Sequence, residues 1–318
     1  MADEKMYLSS SPHFHSPLTT GKIMLSVVIA LLPICISGVV IFGLRALAVI
    51  AISVVSCLIF EFLFNLIVYR KTEPERIWSV KDGSAVITGM LLACTLSPAI
   101  PFWQVILGAF FSMVVVKGFF GGLGQNIWNP ALAGRAFLMV CFPSTMGAAW
   151  INPATDAISS ATILSKPELF TSFRDLIFGN QGGCIGETCS LVILTAGLCL
   201  IVLRIIDWRI PLSFIGTVAL ASFLSTFSGT EVLKSVLSGG LLLGAFFMAT
   251  DYVTSPVTSW GRVLFGFGCG LITFLIRKFG GYPEGVMFSI LFMNCIYPFL
   301  NKLSPRIYGY KRKAKKSN

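Results

Sequence analysis

Gly89-Met90-Leu91-Leu92-Ala93-Cys94-Thr95, with Ser97-Pro98 just after, returns as Gly244-Ala245-Phe246-Phe247-Met248-Ala249-Thr250, with Ser255-Pro256 just after. A second string, Phe120-Gly121-Gly122, returns as Phe279-Gly280-Gly281. The offsets, 155 and 159 residues, nearly agree, and the order is kept. Gly-rich apolar segments do resemble one another by chance, but the kept order and spacing weigh against chance here. Both copies lie in apolar sequence interrupted by Gly and Pro. Paired interrupted segments in two halves mark a membrane protein with a site at the repeat interface.

Composition agrees. Hydrophobic residues make up 55% of the chain and charged residues 12%, about half the usual soluble share of roughly 25%. Crossing the hydrocarbon core takes about 20 apolar residues. Ile23–Leu44 and Ala46–Tyr69 are clear spans. Ser190–Leu203, Ile210–Phe227, Val236–Thr250, Val263–Ile276 and Val286–Leu300 are five more. Ala85–Ile100, Phe102–Val116 and Ala131–Phe142 are shorter and read as tilted or broken helices. The expected fold is an all-α polytopic membrane protein of about ten transmembrane helices, several of them short or broken. Ten divides into five plus five, and a five-helix unit makes its second copy start on the opposite side. An inverted repeat follows. The expected parts are a first repeat over 1–142, a segment over 143–189, a second repeat over 190–301 and a basic tail over 302–318.

Lys and Arg set the expected orientation. With ten spans both termini share one face. Seventeen of the 24 basic residues fall on that face, Lys117 among them, six fall on the other, and Arg135 lies inside a span. The termini and the loop at 70–81 are therefore expected in the cytoplasm. The six Trp fall near the ends of apolar runs, as an interfacial belt requires. The net charge of +10 is mostly this topology signal. The tail Lys311-Arg312-Lys313-Ala314-Lys315-Lys316 suits anionic lipid, and nucleic acid is not an expected partner. Asp3 and Glu4 in the leader, and the length of the first apolar run, argue against a cleaved signal peptide.

Nine Cys are scattered mostly as singles in apolar runs and read as small packing residues. Cys184 and Cys189 lie in polar sequence, and a disulfide between them stays open. No metal site is expected, because the sequence has no C-x-x-C and no Cys/His cluster. His13 and His15 are the only histidines and read as surface residues. Glu61 and Arg135 lie within apolar runs and Asp251 closes one, so all three are candidates for an ion pathway. The alternative for them is a structural Arg–carboxylate pair inside the bundle. Asp82 and Asp207 read as solvated ends or caps, and Glu187 as a carboxylate suited to a helix N-terminus. Gly118–Gly124 lacks the strand–turn–helix setting of a phosphate loop and reads as broken-helix packing.

The segment 143–189 is too long for a plain connector of about 4–6 residues. It contains Asp156-Ala157-Ile158-Ser159-Ser160-Ala161-Thr162. Taken alone this string is weak, and a polar loop whose Ser or Asp caps a short helix explains it.

The whole chain resembles the D subunit of the Rnf complex, the ion-pumping ferredoxin–NAD oxidoreductase. It is less similar to the B subunit of the sodium-pumping quinone reductase. The resemblance rests on Asp82-Gly83-Ser84-Ala85, on Phe120-Gly121-Gly122-Leu123-Gly124-Gln125-Asn126 with Asn129-Pro130-Ala131, and on Gly134-Arg135-Ala136-Phe137. It continues through Asp207-Trp208-Arg209-Ile210-Pro211, Gly244 to Asp251, and Gly280-Gly281-Tyr282-Pro283-Glu284-Gly285. The family esterifies FMN to the Thr of a motif Asp-x-x-Ser/Thr-Gly-Ala-Thr. Asp156, Ser159, Ala161 and Thr162 match it, and Ser160 stands where Gly is common.

The resemblance implies covalent FMN on Thr162, on the extracytoplasmic side of a bacterial or archaeal cell membrane, placed there by a separate flavin transferase. It also admits a second, noncovalent flavin, such as riboflavin, between the repeats. The implied partners are the other Rnf-type subunits, both membrane-bound and soluble, with their iron–sulfur and flavin groups. The flavin carries the chemistry, so no catalytic acid or base is expected in the chain. The rival reading is a small-solute channel or transporter built on inverted repeats, and a third is a structural scaffold. Covalent flavin separates the first from both.

Overall fold

The computed structural model describes residues 19–70, 82–147, 150–151, 158–159, 173–179, 182–280 and 285–303. The first half runs α1 (Thr20–Phe42), α2 (Leu44–Tyr69), α3 (Ser84–Cys94), α4 (Phe102–Phe110), then a π-helical continuation Phe111–Gly118, and α5 (Pro130–Cys141). Between the halves lie the short helices α6 (Pro143–Gly147) and α7 (Phe173–Phe178). There too, β1 (Trp150–Ile151) and β2 (Ile158–Ser159) pair antiparallel, Trp150 opposite Ser159. The second half runs α8 (Ser190–Val202), α9 (Arg209–Thr226), α10 (Gly229–Leu237), α11 (Leu241–Leu243) with a π-helical continuation Gly244–Met248, α12 (Ser259–Phe279) and α13 (Val286–Leu303). Among the described residues the fold is helical apart from the small strand pair, in which Ile151 stands opposite Ile158.

Among the described residues, α1, α2, α9 and α12 are long and apolar enough to cross a bilayer. The first two have mean hydropathies of 2.8 and 2.6, yet only 22% of each is buried inside the protein. Leu44, Ile67, Val40 and Val202 stand about four-fifths exposed. Water would not tolerate such an apolar exterior, and lipid would. Five shorter apolar helices and one bent pair complete the set. The chain is a polytopic membrane protein.

One expected span is split. Val236–Thr250 is not a single helix: α10 ends at Leu237, Ser238-Gly239-Gly240 intervene, and the chain restarts at Leu241 with a 64° bend. Gly239 makes the break with φ +68°, a conformation that glycine adopts without strain.

The repeated strings occupy like positions. Gly89–Thr95 ends α3, and Gly244–Thr250 ends the π-helical stretch after α11. Each closes on a threonine whose hydroxyl donates back along the chain: Thr95 to Leu92 O at 2.7 Å, Thr250 to Phe246 O at 2.6 Å. Each opens on a glycine at a close contact. A Cβ on Gly89 would lie 2.6 Å from the backbone of Val54, and one on Gly244 would strike the Val286 side chain. Across the halves α1 packs on α8, and α5 on α13. In chain order each of these is a helix meeting its counterpart.

The break after α3 leaves backbone carbonyls without helical partners. Chain from the middle segment supplies the donors: Ile185 N–H bonds Leu96 O at 3.0 Å and Gly186 N–H bonds Cys94 O at 2.8 Å. Cys184 and Ile185 are consequently fully buried. Part of the expected outer loop is thus a plug in the bundle. Cys184 and Cys189 are both free thiols, which closes the disulfide alternative.

Candidate functional site

A cavity lies between the two halves. Its wall comes from α1 (Ile23, Met24, Val27), α3 (Ser84, Thr88, Leu91), Lys117, and the turn before α5 (Asn126, Asn129). The second half contributes Leu200, Ile206, the pair Phe246-Phe247 and the run Thr250 to Val253. The cavity's volume is about 90 Å³, and it opens at one side. The wall is mainly apolar with a few polar groups.

Local sequence explains the wall. Asn129 caps α5, accepting the N–H groups of Ala131 (3.1 Å) and Leu132 (3.4 Å), with Pro130 at the first helical position. Its amide also donates to Met248 O at 3.3 Å, tying the halves together. In the glycine string before it, Gly121, Gly122 and Gly124 all have positive φ, between +90° and +107°. This is turn geometry: Gly122 and Gly124 face open space, so it is positive φ and not close packing that calls for glycine at these two positions.

Glu61, on α2, is buried, and its partner is Lys117, not Arg135. Lys117 Nζ donates to Glu61 Oε1 at 2.5 Å and to Ser84 Oγ at 2.6 Å. Lys117 is only 4% exposed. Its charge is therefore shielded from water inside the bundle. The π-helical stretch Phe111–Gly118 carries it there. The other carboxyl oxygen, Glu61 Oε2, is buried with no hydrogen-bond partner among the described residues. Asp251 lines the same cavity and accepts from Thr254 Oγ1 at 3.1 Å. The Lys117 charge reaches it through space. Lys117 and Ser84 went unrecognised in the sequence because Lys117 ends an apolar run, where a charge reads as an exit to water. The further apolar run Phe119-Phe120 was the available signal.

Arg135 stands apart. It lines a second, small cavity of about 10 Å³ with Thr95, Glu187, Gly240 and Met248, room for about one water. Arg135 donates to Cys184 Sγ at 3.4 Å, and Glu187 accepts the Cys184 N–H at 3.5 Å. Glu187 is 6% exposed, so it is folded into the bundle and not merely set at a helix end. The structure thus separates the three ion-path candidates into two places: Glu61 and Asp251 around the large cavity, Arg135 at the small one.

Asp207 does cap, and does more. Between α8 and α9 it accepts the Arg209 N–H at 3.0 Å, and Arg262 of α12 donates to it. Burial alone pushes its carboxyl up, but these hydrogen bonds and the two arginine charges outweigh burial and hold it below the usual range. Among the described residues no group of three His, Cys, Asp or Glu is placed to hold a metal. Of the attachment motif, Asp156, Ser160, Ala161 and Thr162 lie outside the described residues, and Ser159 ends β2.

The chain matches the model of the NQR2, RnfD, RnfE family over residues 7–309. It is 42% identical to a protein of Acetobacterium woodii, with 100% of this chain and 99% of the relative covered. That relative is the D subunit of a Na(+)-translocating ferredoxin:NAD(+) oxidoreductase complex. The D subunit of the proton-translocating complex of Clostridium ljungdahlii is 38% identical, with 96% of each chain covered. Its counterpart in an ion-translocating oxidoreductase complex of Escherichia coli is 34% identical over 96% of this chain and 99% of its own. The chain belongs to the NQR2, RnfD, RnfE family.

Proposed function

We propose that this chain is a membrane electron-transfer subunit of an Rnf-type complex that couples ferredoxin and NAD to movement of Na⁺ or H⁺. Family membership supports the class, and the cavity between the halves is the observation that carries the site. In this reading FMN is esterified to Thr162 by a separate transferase, and a second flavin, such as riboflavin, sits noncovalently in the cavity. A bound flavin supplies one-electron chemistry. The chain supplies the rest. Apolar residues of α1 and the Phe246-Phe247 pair exclude water from the ring. Asn126, Asn129 and Thr250 offer polar contacts to its edge. Lys117 and Asp251 set the charge around it. Glu61 and Asp251 take the ion-path role, with Arg135 beyond the break in α3. The two halves form an inverted repeat with both termini in the cytoplasm and Thr162 outside, in agreement with the Lys/Arg asymmetry.

Thr162→Val tests the attachment. It keeps the β-branched shape and removes the only oxygen esterified in this reading. The variant is expected in the membrane without flavin fluorescence in a denaturing gel, and peptide mass mapping of the native chain should find the flavin on Thr162. Fluorescence that survives in Thr162→Val rules the assignment out. Ser160→Gly, which restores the commoner motif, should keep the flavin.

A further inference from the structure

We propose that Asn294 of α13 is a positioning residue for the cavity between the halves, and that it fixes the separation of the two walls by bonding to both. The proposal rests on the flavin reading of that cavity.

Asn294 lies midway along α13 and is 0% exposed. A carboxamide buried in a membrane bundle is costly unless its polar atoms find partners. Here its oxygen accepts the Asn129 N–H, and its nitrogen donates to Thr254 O and to Ile290 O, each at 3.2 Å. Ile290 is one turn back on the same helix. The other two are backbone groups from opposite sides of the cavity. Asn129 stands in the wall of the first half. Thr254 follows the wall run Thr250 to Val253 of the second half, and its hydroxyl donates to Asp251 of that run at 3.1 Å.

Both backbone groups need a partner from elsewhere. Asn129 is the N-cap of α5. The N–H of an N-cap is commonly bonded by a Glu or Gln at the third helical position. That position is Leu132, whose side chain cannot accept. Asn294 supplies the acceptor from another helix. Thr254 is 1% exposed and lies in the irregular stretch before α12, so its carbonyl too must be paired inside the protein. α13 adds a hold beside each bond. Cys295 Sγ accepts the Trp128 indole N–H, and Asn301 Oδ1 accepts the Val257 N–H, both at 3.0 Å. Asn294 is not itself part of the wall. It acts through Asn129 and the Thr254–Asp251 turn: without it the two sides part, and water enters beside the occupant. Hydrogen bonds one layer behind a site are what hold the side chains that a ligand meets.

Riboflavin titrated into the flavin-stripped intact complex tests this, in a Thr162→Val background so that no covalent flavin on this subunit interferes. Asn294→Leu keeps the volume and removes all three bonds. It should bind riboflavin about tenfold more weakly, the scale of a buried hydrogen bond left unmade. It should also blur the vibronic shoulders that an apolar site gives the visible band of bound flavin. Asn294→Ala leaves room for water to bond the freed groups. It serves where the Leu variant does not accumulate, and should show the same two changes. Ser289→Ala is the control for packing alone. It removes a buried bond of the same helix, the one from Thr273 Oγ1 at 2.8 Å, and touches neither wall. It should lower the melting temperature and leave riboflavin affinity and band shape as they were. Unchanged affinity and band shape in either Asn294 variant, or losses in Ser289→Ala equal to those at Asn294, overturn the proposal alone. A Thr162→Val complex that binds no riboflavin overturns the flavin reading of the cavity, and the proposal with it.

Discussion

The same junction is built in two ways in the two halves. In the first, α2 meets α4 and its continuation through Phe60 edge-on to Phe110, 5.4 Å between rings, and through the buried Glu61–Lys117 pair. In the second, α9 meets α12 through glycine. Gly266 lies against Ser213 and the Ile210 carbonyl, and Gly270 against Thr217 and the Phe214 carbonyl. Small residues that let backbones approach are the ordinary means of joining helices in a membrane. The second half therefore shows that this junction needs no charge. Burying an ion pair costs desolvation that its attraction only partly returns. The pair is better understood by what it adjoins, the cavity wall, than by what it holds together.

The contrast breaks most visibly at Glu61. Glu61→Ala leaves the Lys117 ammonium buried opposite nothing but Ser84. The expected loss is about 3–5 kcal/mol, enough to prevent accumulation. Glu61→Gln/Lys117→Met removes both charges and should bring the complex back to near wild-type thermal stability. Melting curves of the tagged complex in detergent check both. An Ala variant as stable as the wild type would show that the pair is solvated and the contrast empty.

In the second half the sensitive point is Gly266. A methyl there meets the Ile210 carbonyl at 2.7 Å as well as the Ser213 hydroxyl. Backbone must move, so Gly266→Ala should cost about 1–3 kcal/mol in the same melts. Gly216, on α9 with open space around it, is the control. Gly216→Ala should be neutral or stabilising by up to about 1 kcal/mol, from helix propensity alone. Equal effects at the two positions would show that glycine matters there through propensity and not through contact.

How much of this was legible depends on how a residue's meaning is encoded. Repeats and apolar length are carried by runs, so the ten apolar elements and the broken helices could be read from Gly89–Thr95 and its copy. The break at Ser238-Gly239-Gly240 was hidden because Val236 and Thr250 flank it with apolar sequence on both sides. Partners across helices are not encoded in runs at all. Nothing near Glu61 in the chain points to Lys117, 56 residues on. A lysine that ends an apolar run looks the same whether it leaves the membrane or turns inward on a π-helical stretch. Cys184–Glu187 was hidden for a similar reason. Its burial follows from carbonyls freed at a distant helix end, and its own composition is that of a loop.

Asn129 joins the halves and so tests both sides of the comparison at once. Asn129→Ala removes the cap of α5 and the bond to Met248 O. A cap loss costs about 1 kcal/mol, and noncovalent flavin should also be retained less well than in the wild type. Loss of stability with flavin retention unchanged would confine Asn129 to its capping role.

The smallest effect concerns where the second half keeps its charges. They are at the end of the junction and not inside it: Asp207, between α8 and α9, holds Arg209 at the start of α9 and Arg262 on α12, and Arg209 reaches Ser259 at 3.0 Å. The Asp207 carboxyl is held below its ordinary value. Its contribution is therefore complete above the ordinary aspartate range near about 3.9, and is lost as pH falls below that toward the folded value. The group is partly exposed, so the contribution is at most about 1 kcal/mol. Wild-type complex should lose a small increment of melting temperature on acidification below about pH 4 that Asp207→Asn has already lost at neutral pH. The difference between the two should shrink as pH falls and as salt rises, because exposed pairs are screened. Glu61→Gln/Lys117→Met against wild type should show far less salt dependence, its pair being shut away from water. If salt moves both differences alike, the distinction between a buried pair in the first half and a solvated clasp in the second does not hold.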